Sequence, residues 1–285
     1  MTARSKIKLA ILFVLLFAFA VSLFALSHEI RGGNLKVTFL NIGQGDAILI
    51  ESPSGNQMLV DGGPNRSVLR ELGKVLPFYD RHIDVVLATH PDADHIGGLA
   101  DVFGKYKVDL YIESGLDHDT GLFEELNSKI AQLGISRLEG RKGMTVDLGQ
   151  GAELQILFPV NDPRGMESNM ASIVARLVYG ENEFLLTGDS PIAIENYLVN
   201  YVPPQYLQSD VLKAGHHGSR TSTSASFVSA VSPEYAVISA GKDNKYGHPH
   251  QEVLDILNNF GTKILRTDKQ GRIVFESDGV NLKIK

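Results

Sequence analysis

The chain of 285 residues contains no cysteine, which excludes disulfide bridges and thiolate metal ligands together. It has no excess of positive charge either: 27 Lys and Arg stand against 33 Asp and Glu, a formal net charge of −6. A surface that coats nucleic acid over its whole extent is thereby excluded. A local basic groove is not, because the stretch from residue 200 onward is close to charge-balanced. Internal repeats, low-complexity tracts and, after residue 34, linker-like segments are all missing, so one domain is the simplest count. With 43% hydrophobic and 21% charged residues, that domain can bury a core.

The amino-terminal run over 9–26 lacks both charge and a polar stripe. As a helix it reaches about 27 Å, the hydrocarbon thickness of a bilayer. A helix buried in a soluble core would keep a polar side. Arg4, Lys6 and Lys8 precede the run, which places that end in the cytoplasm and the rest outside. The expected division is residues 1–33 as cytoplasmic tail, transmembrane anchor and short polar linker (28–34), and residues 34–285 as an extracytoplasmic domain. The rival is a secretory signal cut near Ala25-Leu26-Ser27, which would release the domain.

Apolar alternation and turn residues predict strands over 36–42, 46–51 and 57–60, with Pro53 to Asn56 turning the chain between the last two. A helix over 67–76 stops at Pro77, and a buried strand over 83–89 is followed by a helix over 96–106. Further strands are expected over 108–112 and 154–158, with a helix over 122–133 between them. A hairpin over 172–179 and 183–187 follows, then strands over 210–214 and 235–239 separated by a helix. A helix over 251–259 precedes a terminus, 263–285, that reads as strands only. Strands and helices alternate in both halves, the pattern of an α/β, αββα sandwich: two packed sheets with helices outside.

The most informative string is Thr89-His90-Pro91-Asp92-Ala93-Asp94-His95-Ile96-Gly97-Gly98. Four potential ligands fall within six residues, directly after an apolar strand, and Pro91 and the glycines interrupt regular structure around them. Ligands so spaced in a loop can converge and serve different ions. A solvated polar turn is the plain alternative, and the strand-before, helix-after context argues against it.

HPDADH resembles the HxHxDH signature of the metallo-β-lactamase superfamily, with Asp92 where the second His usually stands. Together with NIGQGDAILI (41–50), LVDGG (59–63), LLTGD (185–189), LKAGHHGS (212–219) and YGHP (246–249), it looks like the extracytoplasmic domain of ComEC competence proteins. The resemblance covers about residues 35–275 and does not extend to the family's polytopic channel, so it does not imply transport. It implies His90 and Asp92 on one metal, Asp94 and His95 on another, and Asp189 bridging both. One of His216 and His217 completes the second site; His217 is preferred, leaving His216 facing the substrate. Asp61 is implied as a carboxylate orienting the ligand loop from behind. The family's third His has no counterpart, for 162–172 offers only Asn169 and Ser172.

Two divalent cations sharing a water and clamping a phosphate suit hydrolysis. Carboxylates in place of imidazoles move the site toward harder ions, so Mn²⁺ rivals Zn²⁺. His216 or His248 could protonate a leaving group. The glycines over 41–46 look phosphate-binding but lack a following Lys-Ser/Thr, and a tight hairpin is the better reading. His28, His82, His118 and His250 have no companions in sequence and are expected at the surface. The expected activity is metal-dependent cleavage of a phosphodiester, with DNA favoured by the resemblance alone and a DNA-uptake channel as a partner. The alternatives are hydrolysis of a cell-wall phosphodiester or a lactam, and a catalytically weak binding module beside such a channel.

Overall fold

A two-residue period in the strands builds the layers. In the strand Ile48–Glu51, Ile48 and Ile50 join the apolar core between the sheets while Leu49 joins the one on the opposite face. Asn182–Leu186 repeats this in the second half, with Phe184 and Leu186 turned inward and Leu185 outward. Strands buried on both faces need cover on both sides, and that forces a four-layer stack.

The computed structural model describes residues 3–30 and 33–285. It comprises two compact units, Met1–Gly33 and Asn34–Lys285. The first holds one helix, α1 (Ala3–Ile30), long and apolar enough over Ser5–Ser22 to cross a membrane by length and composition. Helix continues through His28, Glu29 and Ile30, where a polar linker was expected; residues 31 and 32 lie outside the described residues.

The second unit carries two sheets. In the first run β1 (Leu35–Phe39), β2 (Ile48–Glu51), β3 (Gln57–Val60), β4 (His82–Leu87), β5 (Lys107–Glu113) and β6 (Ser136–Glu139), with β14 (Ile273–Ser277) and β15 (Leu282–Ile284) beyond β1. In the second run β7 (Thr145–Gly149), β8 (Ala152–Phe158), β9 (Val174–Tyr179), β10 (Asn182–Leu186), β11 (Val211–Lys213), β12 (Tyr235–Ile238) and β13 (Lys263–Arg266). Each sheet changes from antiparallel to parallel partway across, at β3–β4 in the first and at β10–β11 in the second. Helices α2 (Ser67–Val75), α4 (Leu99–Lys105) and α5 (Gly121–Leu133) cover the first sheet through Leu72, Val102 and Leu126. Helices α6 (Ile192–Tyr201), α7 (Ala225–Val231) and α8 (Gln251–Asn259) cover the second through Leu198, Phe227 and Leu257. The expected αββα sandwich is what forms.

Two further expectations are corrected. The helix expected over 96–106 is split into α3 (Ala93–Ile96) and α4, because the chain bends at Gly97-Gly98. There a Cβ would come within 2.3 Å of the Pro64 carbonyl at Gly97 and within 2.3 Å of the Gly62 carbonyl at Gly98. The terminus is not strand only, since the short helix α9 (Thr267–Gln270) separates β13 from β14.

Candidate metal centre

Every site candidate lies in a connection that follows the carboxyl end of a strand, where parallel sheets conventionally place their sites. Asp61 follows β3, the HPDADH loop follows β4, Asp189 follows β10, His216 and His217 follow β11, and His248 follows β12. Because both sheets turn these ends to one edge, residues far apart in sequence meet. Ligand atoms of Asp94, His95, Asp189 and His217 all lie within 4.8 Å of one another.

The imidazoles are held from behind. His95 Nδ1 is 2.8 Å from Asp61 Oδ2, and Asp61 itself accepts from the Thr89 amide and hydroxyl, both at 2.8 Å. His217 Nδ1 donates to the Ser239 carbonyl at 3.0 Å, and His90 Nδ1 lies 3.0 Å from the Thr89 hydroxyl. Such contacts fix ring orientation and turn each Nε2 toward the shared space. Asp189 Oδ1 lies 3.3 Å from His95 Nε2, and its Oδ2 lies 3.4 Å from His217 Nε2 and 3.8 Å from His216 Nε2. Asp94 Oδ2 reaches His217 Nε2 at 3.2 Å. His90 Nε2 and Asp92 Oδ2 are 3.7 Å apart on the neighbouring side.

Buried polar atoms without partners are expensive, and here they gather at one place. His90 Nε2, His95 Nε2 and Asp189 Oδ1 are buried with no hydrogen-bond partner. The charges tell the same story. Burial alone would strip His95 and His217 of their protons, yet Asp189, with Asp61 beside His95 and Asp46 beside His217, holds both well above the usual imidazole range. Burial pushes the Asp189 carboxyl up, but His217 and His95 outweigh it and carry it well below its usual value. His90, by contrast, is driven down to about 3 by burial and by His95, so it is neutral. Protons on His95 and His217 are the counter-charge of this acidic cluster, and divalent cations would displace them. The donor set fits such ions.

Backbone strain marks the same loops. His216 (φ 48°) and His217 (φ 55°) are consecutive left-handed residues, and Asp61 (φ 60°) is a third. Each such position costs of order 1 kcal/mol or more and persists only where the surroundings impose it.

Asp46 was not foreseen. The 41–46 turn does join a hairpin, β1 to β2, as expected, but it also delivers a fully buried carboxylate into the centre. Asp46 Oδ2 pairs with Lys213 Nζ at 2.7 Å, both residues nearly inaccessible, and its Oδ1 lies 3.6 Å from His217 Nδ1. The NIGQGD string held this signal, but only the fold shows what Asp46 meets. His82, His118 and His250, expected at the surface, are all partly exposed, and there His82 lies 2.7 Å from Asp109, His118 Nε2 is 3.9 Å from Asp92 Oδ1, and His250 Nδ1 accepts from the Arg220 amide at 3.1 Å. The fourth, His28, has no described side chain. Where the third His is missing, Ser168 Oγ donates to Asp92 Oδ1 at 2.5 Å, and the buried Asn169 Oδ1 has no partner. His216 is half-buried, whereas His217 is 1% exposed.

Back-to-back sheets with outer helices and a His/Asp cluster at the strand ends define a metal-dependent hydrolase fold. Residues 40–242 match the family model of the metallo-beta-lactamase superfamily, and the chain belongs to that superfamily. It is 32% identical over 262 residues to ComE operon protein 3 of Bacillus subtilis (strain 168), covering 84% of this chain and 33% of that protein. It is likewise 32% identical to Competence protein ComA of Neisseria gonorrhoeae, over 84% of this chain and 32% of that protein. The chain therefore spans about a third of the length of these curated relatives, which bear out the ComEC-like resemblance of its motifs. Among solved structures, the metallo-beta-lactamase fold protein YhfI of Bacillus subtilis superposes with a TM-score of 0.58 at 12% identity, over 86% of this chain and 100% of that one, a likeness of fold alone.

Proposed function

We propose that this chain is a phosphodiesterase that cleaves DNA outside the cytoplasmic membrane, tethered by α1 and loaded with two divalent ions. The observation that carries the reading is the convergence of the rear-anchored His95 and His217 on Asp189, with His95 Nε2 and Asp189 Oδ1 buried and unpartnered. Asp94, His95, Asp189 and His217 would hold one ion, and His90, Asp92 and Asp189 the other, with Asp61 orienting His95. Bound there, such ions supply Lewis acidity toward a phosphodiester and a water nucleophile. The harder donor set suits Mn²⁺ at least as well as Zn²⁺.

The chain's own groups then divide the remaining work. His216 is half-buried with Nε2 3.8 Å from Asp189 Oδ2, a position from which it can hand a proton to a leaving oxygen. Burial, reinforced by His216, His217 and His250, lowers the His248 pKa to about 4. Neutral at pH 7, His248 serves as a hydrogen-bonding contact to substrate more readily than as an acid. Asp94, one-third exposed at the mouth of the site, meets both ion and substrate.

A second reading, a catalytically weak binding module beside a DNA-uptake channel, has one observation in its favour. Neither Asp189 nor any other His, Asp or Glu among the described residues makes a compact trio with His90 and Asp92. The full chain in detergent, stripped and reloaded with Mn²⁺ or Zn²⁺, separates these readings on a panel of single-stranded DNA, a bis-phosphodiester and a lactam. Hydrolysis of the first two but not the lactam is expected. Hydrolysis of the bis-phosphodiester but not DNA points to another phosphodiester, such as one of the cell wall, and cleavage of the lactam alone to a lactamase. Full metal content with no turnover leaves the binding module.

A further inference from the structure

Between β12 and α8 the connection over 239–250 forms a step of aromatic rings leading from the metal centre to solvent. His248 lies 6.4 Å from His217 and 5.5 Å from His216, centroid to centroid. Tyr246 stacks on His248 at 5.6 Å with only 22° between the ring planes, and it is 53% exposed. Single exposed aromatics are ordinary on protein surfaces, but three features set this one apart.

The loop is held in shape before any ligand arrives. Asn244 donates to the Gly241 carbonyl at 2.9 Å and to the His248 carbonyl at 2.6 Å, and its Oδ1 accepts from the Tyr246 and His248 amides at 3.2 and 3.0 Å. Next, Tyr246 and Lys245 line a groove of about 550 Å³ whose wall also includes Asp94, so the ring and the metal cluster open onto one space. Finally, one cation lies over the ring and two more line the next hollow. Lys245 Nζ lies 5.0 Å from the Tyr246 centroid, and a second hollow of about 530 Å³ behind the loop carries Lys242 and Lys269. None of these three lysines has an ion-pair partner among the described residues, whereas Arg266 in the same hollow is held by Asp268 at 2.7 Å.

A flat ring on a hydrogen-bonded support, with an ammonium group over it that has no ion-pair partner, matches the chemistry of an unpaired nucleobase and its phosphates. A double helix hides its base faces in the stack and offers the ring nothing. We propose that Tyr246 is a stacking platform for a base of single-stranded DNA, with Lys245 swinging from the ring to the adjoining phosphate and the scissile segment lying toward Asp94. The proposal rests on the nuclease reading and names the form of substrate that this site takes.

The test uses the full chain in detergent, freed of metal so that nothing is cleaved, titrated against labelled oligo-dT and an abasic oligomer of equal length and charge. The wild type should bind oligo-dT about tenfold or more tightly than the abasic strand. Tyr246→Ala should bind both at the abasic level, and Tyr246→Phe should keep the preference. Lys245→Ala should weaken both strands alike and lower the salt slope by about one. With metal restored, the KM of Tyr246→Ala for oligo-dT should rise by the factor lost in binding. A Tyr246→Ala variant that still prefers oligo-dT, or a wild type with no preference, overturns the platform even if DNA is cleaved. If the preference is present and depends on Tyr246 while no DNA is cleaved, the platform stands and the nuclease reading falls.

Discussion

In the proposed two-ion centre Asp189 is the shared carboxylate: its oxygens face His95 and His217, and its charge also acts on His90 of the second set. Asp189→Ala should therefore lower the metal content of both sites and abolish turnover, whereas His217→Ala should weaken only the ion shared with Asp94 and His95. Ligands that serve one reaction are grossly non-additive, so the double variant should be no less active than Asp189→Ala alone. Metal analysis beside turnover for the three proteins decides it; two full sites in Asp189→Ala would refute the bridging role. The buried Asp46–Lys213 pair makes a separate prediction. Asp46→Asn removes the counter-charge of a buried ammonium and leaves it neutral acceptors alone, such as the Ala214 carbonyl 2.9 Å away, and should cost about 3–5 kcal/mol in denaturant unfolding. Burial pushes Asp46 up, but Lys213 and His217 hold it well below its usual range. Its contribution is thus present above its unfolded value of about 3.9 and lost as pH falls through its folded one. His95 and His217 are raised, so theirs is complete below an unfolded value of about 6.5 and lost as pH rises through the folded ones. His90 and His248, both lowered, act the other way, for below about 6.5 the unfolded chain takes up protons that the folded one refuses. Metal-free protein should accordingly melt highest at about pH 6.5, and added Mn²⁺ should abolish the alkaline decline by taking the protons' place. A metal-free melting curve flat from pH 4 to 9 would contradict this.

At the scale of elements, legibility followed burial. β3 (Gln57–Val60) and α8 (Gln251–Asn259) were foreseen residue for residue, for apolar periodicity and flanking turn residues agree there. β6 (Ser136–Glu139) was not, because all four residues are exposed and no alternation marks them. The four-residue α9 is too short to show a period. The HPDADH loop was readable because its ligands are contiguous, whereas Asp46 and Lys213 meet only through the pairing of distant strands. Glycines at the site needed coordinates to interpret. Gly45 has φ +126°, and a Cβ there would stand 2.2 Å from the Asp94 carbonyl oxygen. Gly43, also left-handed at φ +90°, has nothing within 4 Å of its virtual Cβ. Gly43→Ala should therefore cost only the backbone strain, about 1 kcal/mol. Gly45→Ala must also push the 41–46 turn off the Asp94 loop, lowering Tm by roughly 5–10 °C and weakening the ion at Asp94. Calorimetry with metal titration checks the pair, and equal effects would show that the close approach is unimportant.

For the whole molecule, the absent cysteines and the modest negative charge narrowed the class without naming a substrate, and the amino-terminal helix carries the remaining information. α1 is apolar enough over Ser5–Ser22 to cross a membrane, and its described side chains in that window are not buried. A span that long is satisfied in hydrocarbon because each backbone group bonds within the helix. Basic residues at its start, Arg4, Lys6 and Lys8, face a negative cytoplasmic leaflet more comfortably than they cross one. We infer that residues 34–285 lie outside the cytoplasmic membrane and that DNA meets the metal centre there. An intact-cell experiment tests this with an epitope at the amino terminus and a second in the folded body. Added protease should remove the body's epitope while the amino-terminal one stays protected and in the membrane fraction. Loss of the amino-terminal epitope from the mature protein, with the body released to the medium, would identify a cleaved signal in place of an anchor. A body protected in intact cells and digested only after lysis would place the centre in the cytoplasm, and the extracytoplasmic reading would fall.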